Sequence, residues 1–144
     1  MSALLTYGLC RNALDHHVKP VTMTFSEFVD TLRDPITLTD KKHGAAMVPA
    51  TFSVPYAVNK NAVSITALLL DIEKQPGGSH PMAPEQASQH MQESGLCFCL
   101  WTTHSHTPEA PRYRVLFPLD GVLAPEHLKR VYGLLVGVAS GNGI

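Results

Sequence analysis

The sequence carries little charge and no surplus of either sign. Of its 144 residues, 16% are Asp, Glu, Lys or Arg, the formal net charge is −1, and the pI is about 6.7. A strongly basic chain would attract nucleic acid through its overall field, and this composition excludes that class of protein. Any contact with nucleic acid must therefore come from a local patch of basic side chains.

Long apolar runs are also missing. No stretch approaches the roughly 18 residues of a membrane-spanning helix, and the first residues lack the basic and long apolar segments of a secretory signal. Cysteine is scarce, and the three residues present do not form a disulfide framework. We therefore expect a cytoplasmic protein with reduced thiols and no membrane partner.

Two of the cysteines lie close together in an apolar run. Cys97 and Cys99 flank a phenylalanine, and this pattern is typical of small core residues in a strand. The alternative is a zinc site, which would need more ligands at zinc spacing, although His104 and His106 are close in sequence.

Apolar residues make up 44% of the chain, enough to build a substantial core in a single domain. Residues 1–20 show no clear pattern. The elements predicted from periodicity, proline and glycine are a helix over 24–32, an irregular or edge strand over 45–54, a strand over 63–72, a helix over 84–93, strands over 96–103 and 113–119, and a helix from 124.

This order of elements predicts an α+β fold in which helices cover a mixed β-sheet. We treat residues 1–144 as one domain, with a helical or irregular N-terminal subregion over 1–55 and a core over 56–144. A ferredoxin-like core needs one more strand after the last helix, which leaves open whether this core is complete.

Two carboxylates stand at the end of the most apolar predicted strand. Asp71 and Glu73 follow the apolar run over 68–70, and residues two apart in a strand share a face with Cα atoms roughly 6.5 Å apart. Such a pair can hold a divalent metal ion, although acids also commonly mark the rim of an apolar strand. A metal site needs further polar groups at the same edge, and Lys60, just ahead of the strand, is one candidate for binding phosphate.

Imidazole, hydroxyl and guanidinium groups follow the next predicted strand. In an extended chain His104 and His106 face one way, with Ser105 between them, and can bind metal or phosphate. Arg112 and Arg114 share a face in turn and suit bidentate contact with phosphate. Each motif alone is also typical of an exposed surface, but their joint order indicates the chemistry of nucleotidyl transfer.

Together these motifs resemble the archaeo-eukaryotic primase (primase-polymerase) superfamily. Its first motif is an apolar strand ending in Asp-x-Asp or Asp-x-Glu, as over residues 71–73, and its second is a small residue, any residue and then His. The phage and plasmid replication-protein branch looks most similar, because its members often carry a segment like Thr-His-Ser-His-Thr-Pro-Glu-Ala-Pro-Arg-Tyr-Arg over 103–114. The lead-in over 59–63 is also similar to that branch.

The resemblance implies a primase-like palm with an RRM-like or ferredoxin-like core. The implied site consists of Asp71 and Glu73 as catalytic ligands of Mg²⁺ or Mn²⁺, His104 and His106 as catalytic imidazoles, and Ser105, Arg112, Arg114 and Lys60 as phosphate-binding groups. The implied function is that of a metal-dependent primase or polymerase domain of a phage or plasmid replication protein. Its partners would be nucleotides, a DNA template and a helicase domain or other replication protein.

The chain departs from the family at the third acidic motif, since neither Asp120 nor Glu126 matches it. A relative that binds nucleic acid or protein without catalysis therefore remains an alternative. A rolling-circle or relaxase-type nuclease is another, with Tyr132 as nucleophile, although the spacing of Tyr132 also fits the apolar face of its helix. A purely structural domain is the fourth possibility.

Overall fold

The computed structural model describes residues 3–33 and 44–139, which form antiparallel sheets and helices of an α+β fold. The strands are β1 Leu4–Cys10, β2 Lys19–Thr24, β3 Ala46–Val48, β4 Ala50–Phe52, β5 Ala62–Ile72, β6 Cys99–Thr102 and β7 Tyr113–Leu123. The helices are α1 Phe25–Thr31, α2 Pro84–Glu93 and α3 Leu128–Ala139. The prediction of the α+β class is confirmed.

The chain divides into two compact units. The first comprises Met1–Leu68 and Pro118–Leu128, and the second comprises Leu69–Phe117 and Lys129–Ile144. The long strands β5 and β7 each contribute residues to both units. Within the described residues, no helix is long and apolar enough to cross a membrane.

The first unit contains a three-stranded antiparallel sheet in the order β2-β1-β3. Leu5 and Tyr7 of β1 are buried, and the ring of Tyr7 packs edge-on against Phe28 of α1. Helix α1 begins after Thr24, whose hydroxyl accepts from the backbone N–H of Glu27 while the Glu27 carboxylate accepts from the backbone N–H of Thr24. This capping box explains why the helix predicted over 24–32 forms at this point.

We predict a helical or irregular segment over 1–55, and this prediction misses strands β1 and β2. Two features obscure the strand pattern in the sequence. Gly8 interrupts the apolar pattern of β1 because the Cγ2 atom of Val18 packs where a Cβ of residue 8 would lie. Pro20 lies within β2, which is tolerated because β2 is an edge strand.

The second sheet has the order β4-β5-β7-β6. Pro49 separates β3 from β4, so the irregular strand predicted over 45–54 is divided between the two sheets. The predicted strands over 63–72, 96–103 and 113–119 correspond to β5, β6 and β7. The pairs β4–β5 and β6–β7 are antiparallel, like those of the first sheet, whereas we predicted a mixed sheet.

The prediction ends the third strand near residue 119, but β7 continues to Leu123. Strand β6 pairs with β7 only from Tyr113 to Leu116. Pro118 lies beyond these paired residues, at a position where a strand tolerates proline. The prediction therefore ended the strand too early because of Pro118, although β7 continues past this proline.

In the second unit, α2 matches the predicted helix over 84–93, with Pro84 in its first turn. Ala87 and Met91, four residues apart, are its buried side chains. The core continues with Leu70 of β5 and with Tyr113 and Val115 of β7. These buried residues fix the strand ends that carry the candidate site.

Candidate functional site

The two predicted acids and the two predicted arginines meet on neighbouring strands of the second unit. Asp71 lies near the end of β5 and Glu73 just after it, while Arg112 immediately precedes β7 and Arg114 belongs to it. Arg114 Nε lies 3.6 Å from Asp71 Oδ1, and the Arg112 guanidinium donates a hydrogen bond to Glu73 Oε2. We call these four residues the charged cluster.

Strand alternation explains why all four charges gather in one place. Leu70 and Tyr113 are buried, so their neighbours in sequence point to the opposite face. Spacing of two residues on both strands then produces two adjacent cross-strand pairs of opposite charge. The sequence predicted the shared face of each pair but not the pairing between strands.

The charged cluster is open to solvent. Its side chains are 57% exposed at Asp71, 33% at Glu73, 37% at Arg112 and 46% at Arg114. Ion pairs at such exposure contribute only about 0.2–1 kcal/mol each. Their free-energy contribution is therefore small, and a ligand can compete for either partner.

The loop between β6 and β7 is closed by its own hydrogen bonds. The N–H of Thr103 donates to the carbonyl of Arg112 over 3.1 Å, and the N–H of Arg112 donates to His106 Nδ1 over 3.1 Å. Thr107 also closes a turn, with its hydroxyl accepting from the N–H of Ala110. These bonds hold the chain that leads into Arg112.

The bond to Arg112 defines the role of His106. Because Nδ1 accepts a hydrogen bond, the neutral ring carries its proton on Nε2. His106 therefore positions the backbone of Arg112 through one nitrogen and offers a donor through the other. The structure distinguishes it in this way from His104, which sequence alone could not do.

Over residues 3–33 and 44–139, the other predicted site residues are not joined to the charged cluster. His104 and Ser105 lie exposed in the loop, and no hydrogen bond in the described part of the chain joins either to the charged cluster. Lys60 is exposed in a short 3₁₀ helix, Asn59–Asn61, of the first unit. The structure thus brings together Asp71, Glu73, Arg112 and Arg114, with His106 joined to them through the Arg112 backbone.

The charged cluster can be tested for its fit to Mg²⁺ or Mn²⁺. Within residues 3–33 and 44–139, no group of three or more His, Cys, Asp or Glu side chains is arranged to hold a metal ion. Mg²⁺, however, is usually bound through only one or two carboxylates together with water and substrate phosphates. Asp71 and Glu73 fit a metal ion of this second kind, which arrives with a phosphorylated substrate.

Tyr132 has a role that the sequence did not reveal. Its hydroxyl, on α3, donates to the carbonyl oxygen of Leu69 over 2.6 Å and accepts from the N–H of the same residue over 3.3 Å. Burial raises the pKa of this hydroxyl. Since Leu69 precedes Asp71 by two residues on β5, Tyr132 anchors the strand that carries the acids.

The two neighbouring cysteines differ in their surroundings. Cys97 is exposed, whereas Cys99 is half-buried, and burial raises its pKa to about 12. The thiol of Cys99 therefore stays protonated near neutral pH, as in a small core residue. Among the described residues it belongs to no metal-binding group.

Comparison with known proteins identifies no relative of this chain. No family model matches the sequence, no curated protein matches it, and no solved structure matches the fold. The charged cluster and its chemistry are therefore the basis on which a function can be proposed.

Proposed function

We propose that the charged cluster binds the phosphates of a nucleotide together with a divalent metal ion, in a primase-like palm domain of a phage or plasmid replication protein. The observation that carries the proposal is the direct contact of two carboxylates with two guanidinium groups on neighbouring, solvent-open strand ends. Carboxylate oxygens suit Mg²⁺ or Mn²⁺, and guanidinium groups suit phosphate. The charged cluster thus offers one partner to the metal ion and another to the phosphate.

Binding would exchange partners within the cluster. Asp71 and Glu73 would hold the metal ion, and the arginines released from them would contact phosphate oxygens. His106 Nε2–H supplies a further donor beside Arg112. The cluster carries no net charge by itself, so it accepts metal and phosphate together more readily than either alone.

The topology of the second sheet supports this proposal. Strands β5 and β7 are central in the order β4-β5-β7-β6, α2 connects β5 to β6, and α3 follows β7. An RRM-like or ferredoxin-like core begins with the same β-α-β-β-α order and adds one further strand after the second helix. When bound, the metal ion would stabilise the charge that develops as a nucleotidyl group is transferred along a DNA template.

One observation favours a second candidate, a relative that binds nucleotide or DNA without catalysis. Both acids are already paired with arginine, and no third carboxylate joins them among the described residues. Such a domain would deliver its ligand to a helicase domain or another replication protein. The nuclease alternative has less support, because the Tyr132 hydroxyl donates to the Leu69 backbone.

Calorimetry of Mn²⁺ and a nucleoside triphosphate tests the proposal. Wild type should bind the nucleotide only with Mn²⁺, and Asp71→Ala/Glu73→Ala should lose that binding while it remains folded. Arg112→Gln/Arg114→Gln should bind Mn²⁺ alone more tightly, since the carboxylates are freed, yet bind the nucleotide more weakly. Asp120→Ala, at an exposed acid outside the cluster, should behave as wild type.

A charge exchange separates a ligand site from a purely structural ion pair. Asp71→Arg/Arg114→Asp keeps the pair but moves the acid away from Glu73. A structural role predicts wild-type stability and unchanged binding, whereas the proposal predicts wild-type stability and lost binding of Mn²⁺ with nucleotide. If wild type itself does not bind, the proposal is wrong. If it binds but fails to synthesise or extend primers, the non-catalytic candidate is preferred.

A further inference from the structure

A concave surface lies in the first unit, at the end of β1 and the start of β2. It encloses about 390 Å³, and its apolar walls include Leu9, Val18, Ala45 and Pro55. This volume is within the range of roughly 300–1,000 Å³ for small-molecule sites. None of these residues contributes to the charged cluster, so the surface requires a separate explanation.

Charged and polar side chains line the same pocket. Arg11 Nε lies 3.4 Å from Asp15 Oδ2, and Asp15 Oδ1 accepts hydrogen bonds from the backbone N–H of His17 at 3.0 Å and from its ring Nδ1 at 2.9 Å. Asp15 is therefore paired with both Arg11 and His17. Its bonds with His17 hold its pKa below the usual value, so that it stays ionised.

The imidazole of His17 is held in one orientation. Its Nδ1 bonds to Asp15, and its ring packs at right angles to Tyr56 with centroids 5.6 Å apart. Because Nδ1 carries the donated proton, Nε2 of the neutral ring can only accept a hydrogen bond, and it does not contribute to binding an anion.

Lys19 supplies the charge that is not compensated. It lines the pocket, is exposed, and forms no ion pair with another residue among 3–33 and 44–139. Since Arg11 is paired with Asp15, the pocket as a whole carries a net positive charge from Lys19. Its chemistry therefore complements an anion attached to an apolar body.

We propose that this pocket binds a small organic carboxylate, with the apolar body against Leu9, Val18 and Pro55 and the carboxylate beside Lys19. The proposal concerns the first unit alone and does not depend on nucleotide binding by the second.

Nuclear magnetic resonance titration of the full chain with naphthoate tests this inference, with naphthamide as the uncharged analogue. Naphthoate should cause saturable shifts at the amides of Leu9, Val18 and Lys19. It should bind about 2- to 5-fold more tightly than naphthamide, the range for one ionic contact at the surface.

Variants assign the contributions of charge and shape. Lys19→Gln should remove the preference for naphthoate over naphthamide, whereas Arg33→Gln, which removes the same charge from an exposed position outside the pocket, should retain it. Ala45→Leu, at an exposed wall position, should fill the pocket and weaken both ligands. Absence of saturable shifts, or equal binding of the two ligands to wild type, would overturn the proposal.

Discussion

Replacing Tyr132 by phenylalanine should destabilise the second unit without changing its apolar packing. The hydroxyl makes two hydrogen bonds with Leu69, donating to the carbonyl and accepting from the N–H. Loss of a partner from a buried polar group costs about 1–3 kcal/mol. Tyr132 and Leu69 are only half-buried, so water can replace part of the loss, and we expect about 1–2 kcal/mol in all.

Urea unfolding measures this free energy. Trp101, the single tryptophan of the chain, lies in β6 of the second unit, and its fluorescence reports on that unit. The midpoint should fall while the slope with urea stays constant, because the surface exposed on unfolding is unchanged. Circular dichroism should follow the same variant over the whole chain.

A matched control is the same substitution at Tyr56. This tyrosine is exposed, and its hydroxyl forms no hydrogen bond within the described residues. Tyr56→Phe should change the free energy of unfolding by less than about 0.5 kcal/mol. If Tyr132→Phe were equally neutral, the anchoring of β5 by this hydroxyl would be refuted. If instead stability falls as expected, the affinity for Mn²⁺ with nucleotide should fall too, since Asp71 follows the anchored residue by two positions.

Three other measurements check separate parts of the structure. Iodoacetamide at about pH 8 should modify Cys97 readily and Cys99 only after unfolding, because burial raises the pKa of Cys99 to about 12, and mass spectrometry would detect the opposite order if this were wrong. Thr24→Ala should lower the stability by about 1 kcal/mol through loss of the α1 cap, as measured by thermal unfolding, whereas no change would contradict the capping box. The lowered pKa of Asp15 means that its ionised form stabilises the folded state above its unfolded pKa near 4, and this contribution is lost as pH falls through the folded value. Asp15→Asn should therefore be less stable than wild type at neutral pH and should approach it in acid, and a constant difference at all pH values would count against the assignment.

Local signals in the sequence account for the elements that were predicted correctly. Helix α2 has proline in its first turn and ends at Glu93, with Ser94 as its C-cap followed by Gly95, whose φ of 76° favours glycine. Strand β5 is an apolar run, and its burial follows from that composition. In each case the residues that decide the structure lie within the element or next to it.

Elements that depend on distant residues were missed. Gly8 in β1 is explained only by the packing of Val18, which lies ten residues further along the chain. Proline at 20 is acceptable because β2 is an edge strand, and proline at 118 lies beyond the residues of β7 that pair with β6. Sequence pattern cannot supply this information, since strand order and edge position are properties of the assembled sheet.

The candidate site shows the same division between local and distant information. Spacing of two residues predicts that Asp71 and Glu73 share a face, and likewise Arg112 and Arg114. The contact of acid with arginine depends on how β5 and β7 are aligned, and a shift by one residue would turn the charges to the opposite face.

The contact between acids and arginines changes the chemistry of the site, because the arginines compensate the charge of the acids until a ligand provides the arginines with another partner. A metal ion alone must displace guanidinium groups, whereas a metal ion with phosphate compensates both members of each pair. In the proposed site, the alignment of the two strands would therefore make metal binding depend on the nucleotide, a property that neither the acid pair nor the arginine pair would have alone.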